Sequence, residues 1–310
     1  MRRIFIGLFF VLALSLPAAA AALGSTARTL IPEDVQQIIV VDYRSLSNSP
    51  TALSLKEKVL PPPLKQFEQA LRDAGVSPEE DMEQLAFASF RSKEGLRFLG
   101  VAQGQFPGQK LALRFRKQKV RGVKYHDLVI YPMPSGMSLV LVDESTMLFG
   151  ASDAVKTAIN VRDGDGRSLN ANSSILDMMN SVANETVWSV LDKEGTNYML
   201  KSALGDAAQL ADYDIIKSRL KGARYKMSFS SGVDFDMDVL TSDNFTAATL
   251  SSLMQAGVLF RKASASGAEK TALDNVSVES NSSNLRMRFK SDDEKFQALL
   301  DSDLFSNITK

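Results

Sequence analysis

Three aspartates at alternate positions make Val233–Val239 (VDFDMDV) the most chemically loaded stretch of this chain. On a strand, Asp234, Asp236 and Asp238 share one face about 7 Å apart, while Val233, Phe235, Met237 and Val239 face the other way. Carboxylates grouped in this way serve metal binding or glycoside hydrolysis. The preceding strand argues for a plainer use, because Arg224 and Lys226 share the polar face in its alternation. Across a hairpin they lie opposite or diagonal to Asp236 and Asp238, which predicts cross-strand ion pairs on a solvated face. A carboxylate-based hydrolase is therefore the third functional reading, and it requires the three aspartates to line a concave pocket.

Other candidate chemistry is thinner. Asp163-Gly164-Asp165-Gly166 resembles the start of a calcium loop, but Arg167 and Ser174 stand where that loop needs its fifth and twelfth ligands. A turn is the simpler account. His126, the single histidine, has no cysteine or second histidine to share a metal with, and its setting between Tyr125 and Leu128 reads as a sheet position. No nucleophile elbow accompanies it, and Gly104–Lys110 has the wrong spacing for a phosphate loop. The absence of cysteine excludes thiol catalysis, thiolate metal sites and lipoprotein acylation. No catalytic residue, metal ligand or cofactor is assigned, and the chain is expected not to be an enzyme.

One binding feature stands out. Lys110, Arg114, Arg116, Lys117, Lys119, Arg121 and Lys124 fall in a stretch without a single acid from Gln109 to His126, with Phe115 and Tyr125 interleaved. This is a candidate anion-binding patch for an anionic envelope lipid or polymer. The competing reading has the cations offset a helix macrodipole and guard a strand edge. Over the whole chain charge is balanced, 36 Lys and Arg against 36 Asp and Glu, which leaves no excess for nucleic-acid binding. A monomer or weak oligomer is expected.

These residues must be placed by a folded scaffold. An apolar fraction of 45% over 310 residues supports a large core or two ordinary domains. Met1–Ala22 has the layout of a secretory signal peptide: Arg2 and Arg3, the apolar run Ile4–Leu16, Pro17, and alanines offering cleavage after Ala20 or Ala22. The alternative is an uncleaved inner-membrane anchor. Export without cysteine points to a periplasmic or secreted bacterial protein.

Further along, Val35–Asp42 reads as the first strand. Ser45–Pro63 reads as irregular, and Leu64, Phe67 and Leu71 as one helix face ended by Gly75. Leu85–Arg91 and Leu96–Gln105 form a hairpin, with Ala86, Ala88 and Phe90 expected on one face and Leu99 and Val101 on the other. Such a hairpin needs cover on both sides. Leu139–Arg162 reads as strand, turn, strand and a helix capped by Ser152 or Asp153. Val276–Asp301 echoes it, and Val190-Leu191-Asp192 echoes Val40-Val41-Asp42, although the helix patterns are two residues out of register.

The fold class expected is α+β, in two related halves. Each is a ferredoxin-like strand–helix–hairpin–helix–strand core with an added strand and a C-terminal helix. The organisation expected is a signal peptide at 1–22, a leader at 23–34, a first half at 35–162, a linker with a short helix at 163–185, and a second half at 186–310.

The stretches Gly75–Asp81 (GVSPEED), Gly104-Gln105-Phe106, Val123-Lys124-Tyr125, Phe149–Val155 (FGASDAV), Ser168–Asn172 (SLNAN) and Trp188-Ser189-Val190 resemble uncharacterised exported bacterial proteins of acidobacterial type. The resemblance covers about Val35–Asp192. It implies an architecture, since these are packing and turn residues, and it implies no activity. The reading is a non-enzymatic binding or scaffold module of the cell envelope. The alternative is a carrier of a hydrophobic or amphipathic envelope molecule.

Overall fold

A computed structural model of the protein describes residues 22–92, 95–204 and 213–302. The expected signal peptide, Ala22 apart, lies outside the described residues. In chain order the first elements are α1 (Ser25–Leu30), β1 (Val35–Asp42), α2 (Tyr43–Ser47), α3 (Pro50–Val59), α4 (Pro62–Ala74), α5 (Pro78–Asp81), β2 (Met82–Ser92) and β3 (Gly95–Gly104). Next come α6 (Gly108–Lys117), β4 (Val123–Tyr125), β5 (Leu128–Pro132), β6 (Ser138–Leu141), β7 (Thr146–Gly150), α7 (Ser152–Arg162) and α8 (Ser173–Asn180). The chain continues through β8 (Val187–Leu191), α9 (Lys193–Leu204), α10 (Tyr213–Arg219), β9 (Leu220–Ser228) and β10 (Val233–Thr241). It closes with α11 (Asn244–Ser264), α12 (Gly267–Asp274), β11 (Val276–Asn281), β12 (Asn284–Ser291) and α13 (Asp293–Leu300).

The class is α+β, as the sequence predicts. The twelve strands form one sheet in the order β11-β12-β10-β9-β8-β1-β2-β3-β7-β6-β5-β4. Pairing is antiparallel throughout. A ferredoxin-like core would set strands parallel across a helical crossover. Here the helices after β1 return the chain antiparallel, so β2 lies beside β1 and no strand is interleaved.

The sheet is continuous because β1 pairs with β8. Ile39 stands opposite Ser189, flanked by Ile38–Val190 and Val40–Trp188 pairs. The ends of this seam match: Asp42 N donates to Thr186 O at 2.8 Å, and Asp192 N donates to Gln36 O at 2.9 Å. Each aspartate then caps the next helix. Asp42 Oδ1 accepts from Ser45 N at 2.9 Å and Asp192 Oδ1 from Gly195 N at 2.7 Å. Outward from the seam, the order β1-β2-β3-β7-β6 is repeated by β8-β9-β10-β12-β11.

Helices cover the sheet unevenly. On one face, α1, α7 and α8 bury Ile38, Val40, Ala86, Ala88, Phe90, Leu99, Val101, Trp188 and Val190. On the opposite face, α4 and α6 bury Phe67, Leu71, Leu111 and Phe115 against Met147 and Phe149. That face continues under α9, α10 and α11, then under α13. The two closing helices therefore take opposite faces: Val155 and Ile159 of α7 join the first cluster, whereas Phe296 of α13 packs toward Phe289 on the other side. This explains the two-residue mismatch between their apolar patterns.

Several sequence expectations change. The hairpin faces are reassigned, because Leu99 and Val101 stand directly opposite Ala88 and Ala86 and share their face, leaving Leu85, Phe87 and Ala102 for the other. The presumed leader forms α1, whose Ala27 and Leu30 are fully buried. The presumed linker at 163–172 buries Leu169, whose N–H bonds Ile31 O at 2.7 Å, so both segments belong to the core. Ser45–Pro63 is helical in α2 and α3. Neither Ser152 nor Asp153 caps α7, which has Ala151 at the cap position, and Asp153 pairs with Arg97 instead.

Two stability outcomes follow from the seam. Ile38 is fully buried while Ile39 is half-exposed. Ile38→Ala is expected to cost about 2–5 kcal/mol in urea unfolding and Ile39→Ala less than about 1 kcal/mol. Burial raises the Asp192 carboxyl above its ordinary range, although Gly195 and Glu194 N–H groups oppose this. Its ionisation thus opposes folding as pH rises through the usual Asp range near ~3.9. Asp192→Asn, which keeps the capping oxygen, is expected to be at least as stable as wild type at neutral pH, while Asp192→Ala loses about 1 kcal/mol.

Candidate functional site

Side chains alternate across β1, and the two faces of this central strand differ sharply. Ile38 and Val40 are sealed, whereas Ile39 and Val41 are half-exposed, as are Leu85, Phe87, Val187, Tyr225 and Met227 on adjoining strands of the same face. A central strand of a large sheet is ordinarily covered on both faces when both are apolar. Here α3 and α4 roof the seam without filling it, and a cavity of about 390 Å³ remains. Its lining is almost wholly apolar: Ile39, Val41, Leu46, Leu55, Leu64, Leu85, Phe87, Val187, Met227 and Phe229 form most of it. That volume falls in the range of small-molecule sites, about 300–1,000 Å³.

A separate small cavity of about 20 Å³ adjoins it beneath α4, beside Phe149. Its end wall depends on Gly100, where a Cβ would lie 2.1 Å from the Phe149 ring. With glycine there, Phe149 settles against the sheet and stacks on Phe67 at 4.5 Å between centroids, with Phe87 edge-on at 5.9 Å.

One polar cluster interrupts the apolar wall. Lys56 Nζ lies 2.8 Å from Glu68 Oε1 and donates to the Tyr43 hydroxyl at 2.7 Å. Burial pulls the Lys56 ammonium down, and the bonds to Glu68 and Tyr43 outweigh it, so the net direction is upward. The Tyr43 phenol is raised, chiefly by burial. The cluster ties α2, α3 and α4 together. It gives the cavity a balanced charge pair and no net charge. Thr51 and Lys58 of α3 reach Asp293 of α13 and Asp301 just after it, closing the roof onto the second half.

The three aspartates stand where the sequence places them, on an ion-paired face. Asp238 accepts from Arg224 at 3.1 Å, as predicted, and Asp234 meets Lys290 at 2.6 Å. Asp236 takes Arg286, whose Nε donates at 2.9 Å, with Arg288 3.7 Å away. Lys226 turns to Glu185 at 2.8 Å. Arg286, Arg288 and Lys290 come from β12, a partner strand invisible to a reading of the hairpin alone. Asp234 and Asp236, but not Asp238, line a pocket of about 250 Å³, shared with Glu185, Lys226, Arg288 and Lys290. Burial raises the Asp236 carboxyl, but Arg286, Arg288 and Lys226 more than offset this and hold it low. That is the opposite of a general acid's requirement. Among the described residues no group of three or more His, Asp or Glu could hold a metal ion.

His126 is not a sheet residue. It occupies the β4–β5 turn with φ of 52°, and its Nδ1 lies 2.7 Å from Asp163 Oδ2 at the end of α7. Asp163 also accepts from Arg162 at 2.7 Å, which with His126 keeps its carboxyl below the usual range. Gly164 and Gly166 take φ of 91° and 130°, so the calcium-like stretch is a turn latched by ion pairs.

The basic run maps to α6, its C-terminal turn and β4, remote from the aspartates. Arg114 donates to Asp73 O at 3.3 Å, and all seven cations are exposed. The sequence missed the cavity. Its one legible trace was the doubly apolar hairpin that needed a second cover.

No family model matches the chain, and neither does any curated protein. Among solved structures, crystal form I of TP0453 superposes with a TM-score of 0.53 at 10% identity, covering 94% of this chain and 99% of that one. Crystal forms III and IV of TP0453 give TM-scores of 0.49 and 0.46 at 10% and 9% identity, each over 89% of this chain and over 98% and 96% of theirs. The likeness is one of fold. Among the described residues no helix is long and apolar enough to cross a membrane.

Arg286→Gln tests the ion-paired face. A carboxyl depressed in the folded state adds stability above its unfolded pKa near ~3.9 and loses it as pH falls through the folded value. The urea midpoint of wild type is expected to exceed that of the variant at neutral pH, and the gap to close at about pH 2.

Proposed function

We propose that the protein is a non-enzymatic, exported binding module made of two copies of one α+β unit, and that it holds an apolar or amphipathic chain in the cavity over the β1–β8 seam. The observation that carries this reading is the cavity itself. A strand at the centre of a twelve-stranded sheet leaves Ile39 and Val41 only half-buried beneath a roof that leaves a cavity of about 390 Å³. A pure scaffold gains by collapsing such a space, since buried apolar area stabilises by about 25 cal/mol per Å². The Lys56–Glu68–Tyr43 cluster offers donors and acceptors to a polar headgroup at the cavity wall without requiring a net charge.

Duplication is supported by the repeated strand order and the matched seam ends at Asp42 and Asp192. Such self-complementary pairing is the geometry of a two-fold interface, here within one chain. Export is supported by the layout of Met1–Ala22 and the absence of cysteine. The paired state of Asp234, Asp236 and Asp238 favours binding over hydrolysis.

Native mass spectrometry of protein purified from its own host, followed by titration with a fluorescent fatty-acyl probe, tests the reading. A lipid adduct and saturable uptake are expected. Leu55→Trp, which fills the cavity from a half-buried position, should weaken uptake about tenfold or more while leaving the melting temperature nearly unchanged. No adduct and no uptake would remove the carrier. Undiminished uptake by Leu55→Trp would move the ligand away from the seam.

A further inference from the structure

We propose that α6, the turn after it and the β4–β5 edge form a docking surface for an anionic bilayer. The first observation is the state of the cations. Lys110, Arg114, Arg116, Lys117, Lys119, Arg121 and Lys124 are all exposed, and among the described residues no carboxylate pairs with any of them. Nearby cations are treated differently: Arg72 pairs with Glu79, Arg97 with Asp153 and Arg162 with Asp127. In a chain of zero formal net charge, this concentration leaves the remainder net acidic. The molecule therefore has one end that an anionic surface attracts and a body that it does not.

The second observation separates a bilayer from a soluble polyanion. α6 buries Leu111 and Phe115, so Lys110, Leu113 and Lys117 lie along its outer side, and Leu113 is 54% exposed among these cations. Lys124 stands opposite Val129, which is 37% exposed. Val129 points toward the α6 side, because a Cβ at Gly122 would meet both Val129 and Tyr131, and Tyr131 packs at a tilt against Phe115 of α6. Apolar side chains set among cations match the headgroup boundary of a membrane, where both are satisfied. A soluble polymer has no use for them.

The third observation is conformational. α6 ends in a six-residue reverse turn, with Val120 N bonded to Phe115 O at 2.9 Å and Lys119 N to Arg116 O at 3.1 Å. The left-handed position of that motif normally holds glycine, yet it is Lys119 here, with φ of 58°. Backbone energy is spent to place a cation at the crest of the patch.

Cosedimentation with vesicles tests the surface, using phosphatidylglycerol in phosphatidylcholine against phosphatidylcholine alone. The exported chain, freed of Met1–Ala22, is expected to bind only the anionic vesicles, and to be released by about 1 M salt, where screening reaches within about 3 Å. Each neutralised cation should lower the partition coefficient about fivefold, and Arg116→Glu with Lys119→Glu should abolish it. Leu113→Ser should weaken it as well. Lys119→Gly should do two opposite things, raising the urea midpoint while lowering vesicle binding, which no loss of folding can imitate. No binding, or binding that salt and charge reversal leave unchanged, would overturn the proposal and leave the lysines as guards of a strand edge. Equal binding to soluble polyglutamate, indifferent to Leu113→Ser, would overturn it in favour of an acidic polymer.

Discussion

The antiparallel pairing of β1 with β8 is the constraint on which the remaining structure depends. Each of these strands begins a run of strands, and unpaired they would present two apolar edges to water. Joined, they make a single sheet whose centre is also the place where the two runs meet. The hydrogen bonds at its ends, Asp42 N to Thr186 O and Asp192 N to Gln36 O, fix the register. A slip of one residue would carry Ile38, Val40, Trp188 and Val190 out of the core on one face.

From this seam the unequal faces follow. α7 turns back onto one face of the first run, while α13 packs on the opposite face of the second. Beyond the reach of α7 and α8, the corresponding face of β9, β10 and β12 has no helix over it among the described residues. The sequence answers with Arg224, Asp236, Asp238, Arg286 and Arg288 in a cross-strand ladder. Partly exposed pairs of this kind add little stability each. Their main effect is to make this strand face polar, so that it needs no apolar cover.

Much of this was legible because period and punctuation agree locally. β1 runs Val35–Asp42 as read, Gly75 ends α4, and the Asp234–Asp236–Asp238 alternation lands on a solvated face. What failed depended on distant partners. α1 is too short for a helical period, and only the burial of Ala27 and Leu30 beside α7 reveals it. The faces of Leu99 and Val101 required the turn register, which alternation within a single strand cannot supply. The Arg286 and Arg288 partners of Asp236 lie fifty residues along the chain. The cavity was least legible of all, since Ile39, Leu55, Phe87 and Met227 share no local pattern.

That cavity is better understood as a consequence of the seam than as a defect in packing. Strands in a sheet twist relative to their neighbours by roughly 20–25° each, so helices that follow different strands diverge. α4 packs on the first run, α9 and α10 on the second, and α3 bridges between them toward α13. Between them the seam is exposed unless one layer sends a large side chain inward. Among the residues of α2 and α3 that line it, Leu46, Ala52 and Leu55 pack toward Val41 and leave the space over Ile39 unfilled. Lys56, the next residue, is instead bound to Glu68 and Tyr43, which holds α3 at its distance from the strands. The roof is thus propped by a polar cluster over an apolar floor. Moving α3 inward to close the space would bury that cluster further, and the desolvation of the Lys56–Glu68 pair would oppose the gain from covering Ile39 and Val41.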